Sequence, residues 1–311
     1  MERAVPAAPF GVDLSLLSVA ALVAGFAYAA VVDLREREAS DRLWQAMGLV
    51  GLGVGVAVAA PGGLVPMVLW VVVGLLVLEH VFPWDLALGG WWDRHAGVVE
   101  VTGYVASVSV VAAAVGYFGL GVAGVPWAVV VVLVVVLFAR GLFELGVLYG
   151  GADVKALMIA GLLVPTFAAP VLLGGGGPFA AIAYLPFAVS LLTNAALFSL
   201  AVPLAIAFHN LRRGEFEFPD GFTGYTLPVA ELPRRFVWVR DPAVPESDDE
   251  DDAETSAEDT ARRTHLAQLL AARGLRRVRV SPQVPFLTLM AFGAVAALLA
   301  GNLLLDLIVR L

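Results

Sequence analysis

The sequence predicts an all-α fold, a polytopic membrane helical bundle with a polar insertion before its last span. Of the 311 residues, 60% are hydrophobic and only 15% are charged, whereas soluble globular chains are usually about 45–50% apolar and about a quarter charged. The apolar residues lie in long blocks, and about 20 such residues cross the hydrocarbon core of a bilayer. Turn-forming Pro and Gly residues or charged stretches separate the blocks.

Eight apolar blocks are candidate spans, and we expect six to eight of them to cross the membrane. The second and third are short and are separated only by Pro61-Gly62-Gly63, so they form either two short spans or one re-entrant hairpin. The fifth, built around VVVVLVVVLF, has the most uniform apolar composition. In chain order the candidates cover residues 12–33, 45–61, 64–80, 98–122, 126–148, 154–173, 179–207 and 284–308.

Residues 208–283 form the one long polar region, and they separate a membrane-embedded core, 1–207, from a C-terminal transmembrane helix, 284–311. The first part mixes aromatic residues with prolines, so we expect a small packed lobe. An acidic run over 247–259 has no aromatic residues and is expected to be a disordered linker. The stretch ARRTHLAQLLAARGLRRVRV, 261–280, is expected to be a basic amphipathic helix that leads into the last span.

The distribution of basic residues predicts the orientation of the bundle in the plasma membrane. If the N-terminus is outside, only Arg3 and Arg310 of the 19 Lys and Arg residues lie outside. Because cytoplasmic loops carry the excess of basic residues, this orientation makes the insertion cytoplasmic. It also places two acids at span ends, Asp33 and Asp153, at the same cytoplasmic face.

Composition excludes several kinds of site. The chain has no cysteine, so a thiol nucleophile, a disulfide framework and a zinc–thiolate site are excluded. Its four histidines lack metal-ligand spacing, and no glycine loop for a nucleotide or methyl donor is evident, so we predict neither a metal nor a cofactor. The arginines at 276, 277 and 279 are interpreted as anchors facing membrane lipids, and no nucleic-acid partner is predicted.

Acids near span ends are often ordinary interfacial residues, because water at the membrane surface solvates their carboxylates. We assign four acids to this class, and one of them is expected to pair with Arg140 over one helical turn. These four acids are Glu79, Glu100, Glu144 and Asp306.

Asp33 and Asp153 differ from these acids in their surroundings. Asp153 follows Gly150 and Gly151, which allow a tight turn, and it precedes Lys155, the only lysine of the chain. Two carboxylates that face each other from two spans can share a proton, so that one activates water while the other donates to a substrate carbonyl. That is aspartyl peptidase chemistry, and such a pair titrates as a unit.

Three stretches resemble motifs of the type IV prepilin peptidases and their archaeal relatives, the preflagellin (prearchaellin) peptidases. GGADVK, 150–155, resembles their G-x-G-D-x-K signature, and DLREREASDRLW, 33–44, resembles the first-aspartate motif of the archaeal branch. SPQVPFLTLMAFG, 281–293, resembles the Pro-x-x-Pro-Phe element near the end of those chains. The resemblance implies an integral-membrane aspartyl endopeptidase that removes short basic leaders from pilin-like or archaellin precursors at the cytoplasmic face.

Carried over by position, the resemblance implies that Asp33 and Asp153 are the catalytic pair. Gly150 and Gly151 then form the supporting turn, and Lys155 is a motif residue. Bacterial members carry a cysteine-rich cytoplasmic domain, which this chain lacks, and the two motifs are separated here by four candidate spans.

Two details leave alternatives open at the motifs. Ala152 stands where the family has a glycine directly before the aspartate, so the backbone at Ala152 must use a negative φ. Asp41 is the alternative to Asp33 as the first acid, although it is also placed to cap the next helix.

Two other functions fit part of the sequence. One is a G-x-G-D intramembrane protease of the presenilin or signal-peptide-peptidase type, but those enzymes place the first aspartate mid-span in a Tyr-Asp pair, whereas Asp33 stands at a span end. The other is a transporter with intramembrane acids as ion sites. Many carriers have internal repeats, and no convincing repeat is evident here.

Overall fold

Helices dominate the computed structural model of the chain, which describes residues 14–37, 39–82, 90–120, 125–148, 150–166, 185–240 and 256–310. The all-α membrane bundle is therefore confirmed in its helical character. The helices of the described residues are α1 (Leu14–Glu36), α2 (Asp41–Ala59), α3 (Leu64–Glu79), α4 (Gly90–Phe118), α5 (Trp127–Glu144), α6 (Gly151–Leu163), α7 (Phe187–Ser199), α8 (Ala201–Arg213), α9 (Ser256–Ala272), α10 (Phe286–Ala300) and α11 (Leu303–Arg310).

Five helical stretches of the described residues are long and apolar enough to cross a membrane, so the chain is a membrane protein. Two shorter apolar helices, α3 and α10, accompany them. The second candidate span is longer than predicted, because α2 and the 3-10 turn after it form one stretch of 22 residues. The five stretches are Leu16–Glu36, Asp41–Gly62, Arg94–Phe118, Trp127–Glu144 and Phe187–Arg213.

The prediction of a span over 154–173 is wrong in length. α6 has 13 residues and ends at Leu163, because Pro165 disfavours the helical conformation in the residue before it; residues 167–173 lie outside the described part. Every residue from Ala156 to Leu163 is buried. This short helix is apolar because it lies at the centre of the bundle, where it packs against α1, α2, α3, α5, α7 and α10.

The last two predicted spans also differ from the structure. The seventh, 179–207, is displaced towards the C-terminus, since α7 and α8 together reach Arg213; residues 179–184 lie outside the described part. The eighth, 284–308, is not one helix. It breaks at Gly301, whose φ of 80° is a left-handed conformation that favours glycine.

A buried polar network satisfies the backbone groups that this break leaves free. The Asn194 side chain donates to the carbonyl oxygen of Gly301 at 2.9 Å and accepts from the N–H of Leu303 at 2.9 Å. Asn302 donates to the hydroxyl of Ser190 at 3.3 Å. Backbone groups that are buried away from water need such partners.

The crossing of α7 and α10 depends on Gly293. A Cβ added there would overlap the carbonyl oxygen of Leu191 and lie 2.9 Å from the backbone nitrogen of Ala195. Gly293→Ala therefore forces two helix backbones apart, and we expect it to lower the free energy of unfolding by about 1–3 kcal/mol. Thermal unfolding in detergent measures this change. Gly53→Ala is the control, because a Cβ at Gly53 meets nothing within 4 Å; equal melting of the two variants would contradict the prediction.

The insertion is not purely helical, because it contains a three-stranded antiparallel sheet. Its strands are β1 (Tyr225–Pro228), β2 (Val237–Val239) and β3 (Arg277–Pro282), in the order β1-β3-β2. The predicted basic helix is thus correct only as far as Ala272, where α9 ends. The lobe has an apolar core of its own, formed by Leu227, Val229, Leu232, Val237, Ala267, Leu270, Val278 and Val280.

The predicted acidic linker, 247–259, is wrong at its C-terminal end. Residues 256–259 form the first turn of α9, and this helix packs against the 3-10 turn Val229–Arg234 of the lobe. Residues 247–255 lie outside the described part of the chain.

A polar network joins α3, α4 and α5 at one end of the bundle. The Arg140 guanidinium pairs with Glu144 at 2.5 Å, as the one-turn spacing predicted, and also with Glu100 at 3.1 Å. The Tyr104 hydroxyl and the His80 ring are hydrogen-bonded at 2.6 Å. These interfacial acids therefore have structural partners.

Candidate functional site

The structure brings Asp33 and Asp153 together. Asp33 lies in the last turn of α1 and is only 8% exposed, while Asp153 lies, half-buried, in the first turn of α6. α1 packs against α6, and the charge of Asp33 acts on the Asp153 carboxyl group. Two acids that are 120 residues apart in the sequence thus lie at the same end of the bundle, on two helices that pack against each other.

The first turn of α10 holds Asp33 in place. The backbone N–H of Thr288 donates to Asp33 Oδ2 at 3.3 Å, and the Thr288 hydroxyl donates to the carbonyl oxygen of Ala30 at 3.2 Å. Pro285, from the Pro-x-x-Pro-Phe element, is the residue that precedes this helix as its N-cap. The element therefore starts a helix whose free N–H groups point towards a carboxylate, an arrangement that stabilises negative charge.

The two glycines before Asp153 have a different role from the predicted one. The expected tight turn is wrong, because Gly150 is extended, with φ −88° and ψ 123°, and Gly151 is the first residue of α6. Gly150 matters because it lacks a Cβ: an added Cβ would lie 2.8 Å from Asp153 Oδ2. Ala152 is accommodated as predicted, since it lies in the helix at a negative φ.

Gly150→Ala should displace the Asp153 carboxylate by a few tenths of an ångström or more. If Asp153 acts in the catalysis that the resemblance implies, we expect a loss of activity of about tenfold, because a catalytic group that moves even slightly loses much of its effect. Gly151→Ala is a matched control, since a Cβ at Gly151 meets nothing within 4 Å. The ratio of the initial rates of precursor cleavage by the two variants, at equal amounts of protein in the membrane, measures the effect, and a ratio near one would refute this role for Gly150.

An ion pair joins the two sequence motifs. Lys155 Nζ lies 2.5 Å from Asp41 Oδ1, so the start of α6 is tied to the start of α2. The predicted N-cap role of Asp41 is wrong: Ser40 is the N-cap, and its side chain accepts from the N–H of Arg42. Asp41 is thus engaged by the motif lysine, which favours Asp33 as the first acid.

The tryptophan of the first motif anchors α1 against α2. Trp44 is completely buried, and its ring meets that of Phe26 edge to face, with 6.1 Å between the centroids. Aromatic pairs with this geometry stabilise a packing beyond the area that they bury. The Trp44–Phe26 contact therefore fixes the start of α2 against α1 near the site.

Arg37 connects the site to the insertion. It ends α1 with a φ of 60°, and its guanidinium lies 4.9 Å from the centroid of the Phe236 ring, which Arg263 also contacts at 4.8 Å. Burial lowers the pKa of Arg37 from its ordinary value. The negative charge of Asp33 partly offsets this decrease, and the positive charge of Arg263 adds to it. Sequence reasoning missed this contact, because Phe236 is 199 residues from Arg37.

The arrangement is suited to proton transfer by two carboxyl groups. Within the described residues, no three His, Asp or Glu side chains meet in a way that holds a metal ion. Two neighbouring carboxyl groups with little access to water favour one shared proton over two charges. The site can therefore present one base and one acid to the same substrate group.

Comparisons with known proteins add no relative. A scan against protein-family models finds no match, and a search of curated proteins finds none.

Proposed function

We propose that this chain is an aspartyl endopeptidase of the plasma membrane that removes short basic leaders from pilin-like or archaellin precursors. The observation that carries the proposal is the approach of Asp33 and Asp153 at one end of the bundle, where the helix α1 ends and the helix α6 begins. The resemblance of both surrounding motifs to the prepilin and preflagellin peptidases supports the same reaction.

The reaction follows from the shared proton. The ionised carboxyl group takes a proton from water, and the water oxygen bonds to the scissile carbonyl carbon while the protonated carboxyl group gives its proton to the carbonyl oxygen. The resulting tetrahedral intermediate collapses when the C–N bond breaks. The carboxyl group that took the proton from water delivers it to the departing nitrogen, while the other carboxyl group takes a proton back from one hydroxyl of the intermediate, whose oxygen becomes the new carbonyl oxygen.

The orientation that the basic residues predict puts this site at the cytoplasmic face. A precursor that inserts its hydrophobic helix into the bilayer leaves its basic leader at the inner surface, where anionic lipids attract Lys and Arg. The scissile bond, between leader and helix, then lies at the depth of the two acids.

Single cysteines introduced into this cysteine-free chain test the orientation. Ser40 and Gly151 lie at the end of the bundle that holds the acids, whereas Leu64 lies at the other end of α2; all three are exposed. In intact cells, an impermeant thiol reagent should label a cysteine at Leu64 and should not label one at Ser40 or Gly151 until the cells are opened. Labelling of Ser40→Cys in intact cells would show that the orientation is the opposite of the predicted one.

A cleavage assay tests the function itself. The detergent-solubilised protein is mixed with a precursor that has a basic leader and a hydrophobic helix, without nucleotide or ion gradient, and the product N-terminus is sequenced. We expect one cut between leader and helix, and weaker cleavage when the charge of the leader is reversed. A cut within the helix would favour an intramembrane protease instead. Absence of cleavage, together with ion flux into liposomes, would favour a transporter.

A further inference from the structure

The sheet of the insertion has a free edge along β2. The N–H of Gln283 donates to the carbonyl oxygen of Phe236 at 3.0 Å. The N–H of Arg240 donates to the carbonyl oxygen of Arg279 at 2.8 Å. Because bonded pairs alternate in an antiparallel ladder, the N–H and C=O groups of Val237 and Val239 point away from β3. No strand of the described residues pairs with this side, since β2 is last in the order β1-β3-β2.

This edge begins beside the two acids. Phe236, the residue directly before β2, contacts the guanidinium of Arg37, and Arg37 follows Asp33 by one helical turn. The central strand β3, which pairs with β2, leads into α10, whose residue Thr288 donates to Asp33. The sheet is thus attached to the Asp33 end of the site through two separate contacts.

Arg37 carries donors that lack an acceptor. Its Nε and Nη1 atoms are buried, and no hydrogen-bond acceptor among the described residues reaches them. Buried donors nearly always have a partner, so each exception needs an explanation. A carbonyl oxygen that arrives with a substrate is such a partner, and it would meet Arg37 beside Asp33.

Peptide-bond cleavage requires an extended substrate, because the carbonyl group of a helical residue is already hydrogen-bonded and is covered by the next turn. An extended chain presents free N–H and C=O groups, which are complementary to a free strand edge. The edge of β2 therefore offers what a peptide segment needs in order to stay extended beside a pair of acids.

We propose, building on the peptidase function above, that the precursor segment around the scissile bond binds in extended form as a fourth strand along β2. Its main chain pairs with Val237 and Val239, and one of its carbonyl oxygens accepts from Arg37. Recognition through the main chain places few demands on side chains, so leaders of different sequence fit the same edge.

Proline substitution tests the pairing. Val239→Pro removes one outward N–H but no bond to β3, since the N–H of Val239 does not take part in that ladder. We expect kcat/KM for precursor cleavage to fall by about tenfold. Val239→Ala is the matched comparison, because it removes the same side-chain contacts and keeps the N–H, so the ratio of the two kcat/KM values isolates the main-chain bond. Thermal unfolding of both variants checks that the lobe remains folded.

Cross-linking tests the geometry without catalysis. In an Asp153→Asn background, Trp238→Cys places a thiol on an exposed residue of β2, and single cysteines are moved along the precursor through the cleavage region. Strand pairing should give disulfides at alternate precursor positions.

The outcomes of these experiments separate the two proposals. If the wild-type enzyme cleaves precursor while Val239→Pro cleaves equally well, or if cross-links form with helical spacing, binding along β2 is wrong and the peptidase function stands. If the wild-type enzyme cleaves no precursor, both proposals fail.

Discussion

Asp33→Asn and Asp153→Asn are each expected to abolish precursor cleavage, lowering its rate by about a thousandfold or more. Asn has nearly the shape of Asp and preserves the packing, but it can neither take a proton from water nor pass one to its partner. Conversion of precursor to mature protein on a gel, normalised to enzyme in the membrane fraction, measures the loss. Asp33→Glu and Asp153→Glu should also fail, because one added methylene displaces the carboxyl group beyond what the reaction tolerates.

Two other acids supply controls for this experiment. Glu144→Gln and Asp306→Asn alter acids that belong to other parts of the bundle, and both variants should keep most of the activity. If Asp41→Asn eliminates cleavage while Asp33→Asn does not, Asp41 is the first acid. Normal cleavage by both Asp33→Asn and Asp153→Asn would refute the aspartyl peptidase and would favour a transporter.

Lys155→Asp should lower the rate of cleavage by about tenfold or more. It places a second negative charge beside Asp41, so that repulsion replaces the ion pair that joins α2 to α6. Asp153 is two residues from this position, so a shift of the first turn of α6 displaces its carboxyl group. Adding Asp41→Lys restores an ion pair with the two charges exchanged between positions 41 and 155. The double variant should therefore recover a substantial part of the lost activity.

The comparison of the two single variants with the double variant isolates the pair itself. Arg35→Glu reverses the charge of an exposed residue at the same end of the bundle. This variant controls for the general loss of positive charge at the membrane surface. If the double variant is no more active than Lys155→Asp alone, the ion pair does not position the site.

Long apolar blocks located most helices, but they did not distinguish a span from a buried helix. The block over 126–148 predicted α5 closely, because Pro126 precedes the helix and Gly146, with a positive φ, follows its end. The block over 154–173 looked equally apolar, yet α6 is apolar because protein surrounds it on all sides. In the insertion, Arg277 to Val280 alternate between basic and apolar residues, and this period of two was the signal of a strand.

The site was predictable only where its residues carry local patterns. Asp33 and Asp153 stand in recognisable motifs, so their pairing followed from alternating spans. The contacts that hold them come from residues far away in the sequence: Thr288 is 255 residues from Asp33, and Asp41 is 114 residues from Lys155. No local pattern in the chain encodes such contacts, because they depend on how the helices pack.

The short connection between β3 and α10 makes the lobe part of the Asp33 environment. Only Gln283 and Val284 lie between the strand and the residue that caps the helix, so a tilt of the sheet rotates the turn that donates to Asp33. If the proposed precursor binds at the acids, a partner of the lobe that changes the affinity for precursor is subject to thermodynamic reciprocity. Bound precursor then changes the affinity of the lobe for that partner by the same factor.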